Sequence, residues 1–322
     1  MIRLAILVAT LALFSATPRA LSRLPISSRW SARLAFLSMV GLLLSTVSIL
    51  AAVLLPEVLV VSKLSEIWSK CFRAFEAIFT RPFGRLPSLG AGILLAILVG
   101  RFVWSLFMGA RATRRARVTG GEPRWRLARG EPVYVLPVDR PAAYSLGWIR
   151  GQAVVSRGLL DTLDEDERQA VLLHEEAHLR GHHHLLLVIG RAIRRSLWPL
   201  PATRAALDLL ERALEESADD YAARRLGSPA IVASGLSKAA LAGIGGPVGV
   251  LSLARELDVP ARVRRLLAPT ALPSWAPVVA MALLALLLGA IAVTQAVAGL
   301  AVLAAVHHVV GLGTAATCPL SR

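Results

Sequence analysis

His174-Glu175-Glu176-Ala177-His178 is the stretch on which the reading of this chain turns. It has the form H-E-x-x-H. On a helix, residues four apart share a face, so His174 and His178 can aim two imidazoles at one point. Zinc in a catalytic site typically takes three protein ligands and leaves a fourth position for water, whose pKa it lowers. Glu175 lies beside that position rather than on the metal, placed to take a proton as general base. Further along, Glu215-Glu216-Ser217-Ala218-Asp219 has the form E-x-x-x-D. Glu215 would complete a two-His, one-Glu set for a single Zn2+. Asp219, one turn beyond, can face the same helix and accept the outward N–H of a ligating histidine. Glu216 and Asp220 are expected to point elsewhere and to be solvated. H-E-x-x-H alone recurs by chance on charged helix faces. An E-x-x-x-D on a second helix gives it weight.

His182 continues the i, i+4 series. It would lie about 12 Å from His174 along a straight helix at ~1.5 Å per residue, too far to share one ion. Gly181 marks a helix end or bend, so His182, His183 and His184 read as a cluster at a membrane surface.

The chain has 322 residues, 55% of them hydrophobic, and a mean hydropathy of +0.61, values that suit a membrane protein. The formal charge of +15 raises nucleic acid as a partner, but the placement of the arginines argues for lipid. Arg19, Arg23, Arg29 and Arg33 crowd one short stretch; Arg111, Arg114, Arg115 and Arg117 follow a long apolar run. Such juxtamembrane clusters favour anionic headgroups, and no direct nucleic-acid contact is expected. The two cysteines, Cys71 and Cys318, form no C-x-x-C, which leaves thiolate zinc ligation unsupported.

A span needs about 20 apolar residues. Residues 1–17 form a slightly short first helix; a cleaved signal peptide is the alternative, but Pro18-Arg19-Ala20 is a poor cleavage site. Residues 34–55 form a second span stopped by Pro56, and 86–110 a third, with Arg101 expected to snorkel. Residues 275–306 form a fourth, tilted or overhanging span. The positive-inside rule makes 18–33 a cytoplasmic loop and 111–274 a cytoplasmic domain. Residues 56–85 are then an external loop and 307–322 a short external tail. Cys71 and Cys318 would share that side, which leaves a disulfide between them open.

Within the domain, Val133–Leu136, Ala142–Trp148 and Gln152–Ser156 read as strands. A short turn or helix follows from Gly158. Asp164 and Glu167 form a capping box opening a helix to about Arg180, whose Val171 and Leu172 side should pack under the strands. Residues 185–190 read equally as interfacial or as core. Pro201–Leu226 is a second long helix ended by Gly227, with an apolar stripe of Leu207, Leu210, Leu214 and Ala218. Val259–Leu267 is a short helix whose Arg262, Arg264 and Arg265 are expected to be solvated or lipid-facing. Tyr221 is an oxyanion candidate by residue type, but its helical phase relative to Glu215 is poor and it is given no role.

These residues resemble the BlaR/MecR-type membrane zinc metallopeptidases, a gluzincin family related to the CAAX-prenyl and heat-shock membrane metallopeptidases. The resemblance runs from Ala143-Tyr144-Ser145-Leu146-Gly147 through Val154-Val155-Ser156-Arg157-Gly158-Leu159-Leu160 and His174-Glu175-Glu176-Ala177-His178 to Glu215-Glu216-Ser217-Ala218-Asp219. It implies a multi-pass α-helical plasma-membrane protein with an α+β gluzincin metallopeptidase domain between the third and fourth spans. It implies His174, His178 and Glu215 as zinc ligands, Glu175 as base and Asp219 behind them. It also implies that extended substrate pairs with a sheet edge, assigned here to Gln152, Ala153, Val154, Val155 and Ser156. The sensor members cleave a winged-helix repressor, which makes such a protein a candidate partner. This chain has only a short tail where sensors carry a penicillin-binding domain, with no Ser-x-x-Lys in it, so direct β-lactam sensing is unsupported. The remaining alternatives are membrane-protein quality control and a catalytically silent scaffold.

Overall fold

The computed structural model describes residues 2–22, 26–61, 86–117, 123–128, 130–147, 151–243 and 259–268, with two isolated positions beyond. The expected fourth span, the tail, most of the expected external loop and both cysteines lie outside these residues.

Among the described residues three apolar helices come first: α1 (Ile2–Leu21), α2 (Ser28–Val61) and α3 (Leu86–Ala116). Two stretches, Ser28–Ala51 and Leu89–Ala116, are long and apolar enough to cross a membrane. Pro56 does not stop α2, which runs on to Val61. A proline removes one ladder hydrogen bond and bends a helix, but the flanking apolar residues still favour continuing it. α1 is part of the core, with Phe14 fully buried. α3 differs: Ile93, Ile97, Val103, Trp104 and Phe107 are each more than half exposed, the pattern of a lipid-facing helix.

The domain opens on a four-stranded sheet of β1 (Trp125–Arg126), β2 (Pro132–Leu136), β3 (Ala143–Leu146) and β4 (Gln152–Ser156), in the order β1-β2-β4-β3. β2 and β4 are parallel, with Val133 opposite Ala153; β3 and β4 are antiparallel, with Tyr144 opposite Val154. This corrects the assignment of Gln152–Ser156 as the substrate edge. β4 is hydrogen bonded on both sides and all five of its residues are buried. Its unbroken Ala153-Val154-Val155 run is the mark of a strand covered on both faces. The edge on that side of the sheet is β3, which is shorter than the 142–148 expected from sequence.

Ser156 caps α4 (Arg157–Thr162), its hydroxyl accepting from the Leu159 N–H. α5 (Glu165–Arg180) carries the H-E-x-x-H and opens on the expected capping box, in which Asp164 and Glu167 satisfy each other's backbone N–H. Val171 and Leu172 pack beneath the sheet with Val133, Ala153 and Val155. That contact fixes the pitch of α5 and therefore the direction of both histidines. Glu167 also takes hydrogen bonds from Ser234 and Lys238, which tie α8 (Pro229–Gly243), a helix not expected from the sequence, to the start of α5.

α6 (His183–Ser196) and α7 (Pro201–Leu226) form an antiparallel hairpin. The stripe of Leu207, Leu210, Leu214 and Ala218 is buried as its spacing requires. Its three leucines join Leu34, Met39 and Leu42 of α2, Leu98 of α3 and Ile193 of α6 in one core. The apolar helices and the domain are thus one packed body, and residues 185–190 belong to its core side. Gly227 ends α7 at φ +75°, a left-handed cap that favours glycine. α9 (Val259–Leu267) packs on α7 and α8 through Leu266.

Candidate metal centre

α5 supplies His174 and His178; α7 crosses it and supplies Glu215 and Asp219. One ligand atom from each of His174, His178 and Glu215 lies within 4.8 Å of the others. The two Nε2 atoms are 3.1 Å apart, His174 Nε2 is 3.5 Å from Glu215 Oε2, and His178 Nε2 is 3.6 Å from Glu215 Oε1. Donors arranged tetrahedrally at ~2.0–2.1 Å from a zinc would stand roughly 3.3 Å apart, so the donor set fits one such ion. Glu215 Oε2 is buried beside two cationic groups, His174 Nε2 at 3.5 Å and Arg262 Nη1 at 3.2 Å, which hold it where the three donors converge. Glu175, the proposed base, is 1% exposed.

Each imidazole is held from behind. His174 Nδ1 lies 3.0 Å from Asp219 Oδ1, the contact expected of that aspartate. His178 Nδ1 lies 2.8 Å from Nδ1 of His183. That contact corrects the reading of His183 as part of a surface cluster, whereas His182 is exposed. His183 is 7% exposed and stands edge-on against His178. The turn between α5 and α6 makes this possible. His182 takes φ +51°, and a β-carbon on Gly181 would collide with the His183 ring. His184 instead pairs with Thr113 of α3, 2.7 Å away.

Arg262 is the residue sequence reasoning missed most completely. Its sequence context predicts solvent or lipid, yet it is 3% exposed. Its Nε and Nη2 donate to the two Asp219 oxygens at 2.8 and 2.7 Å, and Nη1 stands 3.2 Å from Glu215 Oε2. One fork thus holds the carboxylate behind His174 and touches the third ligand. The detectable signal was Arg262 following Pro260 at the start of an amphipathic turn, which gives no partner. Arg265, from the same helix, donates to Asp220 and to the Glu216 carbonyl. Asp220 also accepts from Ser28 of α2. Glu216 and Asp220 are therefore half-buried and paired, not solvated. Tyr221 donates to Glu176 at 2.8 Å.

Electrostatics follow the packing. Burial opposes charge on His174, but hydrogen bonds to Asp219 and Glu215 outweigh it and push the ring up to about 9. Burial likewise opposes charge on Asp219, and the Arg262 and His174 contacts overcome it, holding the carboxyl down at about 2. Glu215 is lowered too: burial raises it, and His178, His174 and Arg262 more than compensate. His183 is pushed well down, first by burial and then by the charge of His178. A divalent ion has to displace the His174 proton. Zinc affinity, measured by chelator competition, should therefore weaken about tenfold per pH unit below about 9 for this one proton. A pH-independent affinity between 7 and 9 would contradict this.

Residues 128–200 match the model of Peptidase family M48. Over 63 residues, 19% of this chain and 21% of the relative, the sequence is 36% identical to the protease HtpX homolog of Aquifex aeolicus (strain VF5). The chain thus spans about a fifth of the length of that curated relative. No solved structure matches. The matched family segment ends before Glu215, so the third ligand, Asp219 and Arg262 are placed by geometry rather than by similarity.

Proposed function

We propose that this chain, in which residues 128–200 carry an M48-type metallopeptidase fold, is a membrane-integral zinc endopeptidase that acts on the cytoplasmic side. The observation that carries the reading is the convergence of His174, His178 and Glu215 beside the buried Glu175. Bound zinc would supply a Lewis acid that activates water and polarises a carbonyl at neutral pH. Glu175 would accept the proton and return it to the leaving amine. Asp219 and His183 hold the two imidazoles in register, and Arg262 holds Asp219.

Extended substrate would add to β3, whose outer edge has no further strand among the described residues. β3 packs against α5, so a peptide along it would lie over the ligand helix. The layout of four spans, with the domain between the third and fourth, rests on the hydropathy and arginine pattern, and so does the cytoplasmic orientation. The resemblance to sensor peptidases makes a repressor the leading substrate, and quality control of membrane proteins is the competing one. Protein purified in detergent should contain one zinc per chain and cleave an unfolded protein substrate. Chelation should stop the cleavage, and added zinc should restore it. Zinc-free protein with undiminished cleavage would overturn the proposal.

A further inference from the structure

Several arginines beside the apolar helices are engaged by the protein itself. Arg101 of α3 donates to the Arg195 carbonyl at the end of α6 and so does not snorkel to a headgroup. Arg195 donates to the Ser105 hydroxyl, and Arg191 pairs with Glu211 at 2.9 Å. Arg29, in the first turn of α2, and Arg224, in the last turn of α7, are different. Both are exposed, and neither makes a hydrogen bond or an ion pair among the described residues. They come from distant parts of the sequence, yet both line one cavity of about 270 Å³, whose wall they share with Ser28, Trp30, Ser217 and Asp220.

The charge of that wall favours an anion. Asp220 is already satisfied: it accepts from Ser28 Oγ at 2.6 Å and from Arg265 Nη1 at 2.8 Å, so a cation outside the wall offsets it. The guanidiniums of Arg29 and Arg224 are left to be matched, and their planar forks suit phosphate oxygens. The place narrows the source of the phosphate. α2 is apolar enough to cross a membrane from Ser28 onward, so the cavity lies where that span meets water. Arg33 stacks over the Trp30 ring at 4.9 Å, and both residue types belong at headgroup depth. The volume is at the lower edge of small-ligand sites, which run to roughly 300–1,000 Å³. It suits a headgroup rather than a folded segment.

Resting on the reading of α2 as a membrane span, we propose that this cavity binds the phosphate of an anionic lipid headgroup, a single lipid per chain, between Arg29 of α2 and Arg224 of α7. The bound phosphate joins two helices directly behind the metal centre. Asp220 in the wall is the neighbour of Asp219, and the α9 helix that supplies Arg265 to Asp220 also supplies Arg262 to Asp219. Occupancy therefore braces the α2–α7 contact at the turn that follows Glu215.

The test uses the full chain purified in a neutral detergent. Dioleoyl phosphatidylglycerol or dioleoyl phosphatidylcholine is added in mixed micelles, and bound lipid is counted by native mass spectrometry. The wild type should retain a single phosphatidylglycerol. The Arg29→Gln, Arg224→Gln double variant should bind it about tenfold more weakly or worse, two headgroup contacts being lost. Arg114→Gln with Arg115→Gln removes the same charge from the exposed end of α3 and should bind as the wild type does. Each single variant, Arg29→Gln or Arg224→Gln, should fall between, which keeps the test open if the double variant fails to accumulate. Equal weakening in the two double variants would overturn the site, leaving only general attraction to a basic surface. Equal retention of phosphatidylcholine, or displacement of the lipid by millimolar inorganic phosphate, would overturn the assignment to an anionic lipid. Release of the chain from membranes by alkaline carbonate would instead remove the reading of α2 on which the proposal stands.

Discussion

A Glu175→Ala variant should keep its zinc and lose its peptidase activity. The glutamate is not among the three atoms that converge on the ion, so metal content, measured on protein purified without chelators, should stay at one per chain. Removing a general base typically costs 10²- to 10⁴-fold, and the loss should fall on kcat/KM at every pH. Because Glu175 is buried, the alanine variant leaves space at the site. Glu175→Gln, which fills that space but cannot take a proton, should be equally impaired. Equal processing by wild type and both variants would point to a silent scaffold that uses the fold only to hold a partner.

What the sequence disclosed and what it hid divide along a physical line. Helical period paired His174 with His178 and Glu215 with Asp219, because i, i+4 spacing converts directly into a shared face, and the third ligand that a catalytic zinc requires joined the two pairs. The capping box and Gly227 were equally local, and both ends fell where their chemistry puts them. Features that depend on long-range pairing were not legible. Strand order is one: nothing in residues 152–156 says that β2 lies parallel along their other side and takes away the free edge, although an apolar run without alternation was a warning. His183 is another. Only the left-handed turn at His182 swings it under His178, and a straight helix would have sent it to the surface. Arg262 is the extreme case, 43 residues from the aspartate it grips. A charged side chain on a short amphipathic helix reads as solvated until its partner is known.

Arg262 also carries the second large expectation. Replacing it with methionine keeps most of the stem but leaves Asp219, 1% exposed, and Glu215, 8% exposed, as buried anions without their cation. Removing one partner from a buried ion pair costs about 3–5 kcal/mol, and the apparent melting temperature in the presence of a chelator should drop accordingly. Saturating zinc supplies a replacement positive charge beside Glu215. The thermal stabilisation produced by zinc should therefore be larger in the variant than in the wild type, by the linkage between binding and folding. Arg262→Lys keeps the charge but not the fork that reaches Nε and Nη2 to separate oxygens, so its stability should fall between the two. Arg264→Ala, from the exposed side of the same helix, should change neither quantity. If Arg262→Met melted with the wild type under chelation, the two carboxylates would have to be neutral or solvated, and the account of how His174 is held from behind would fail with it.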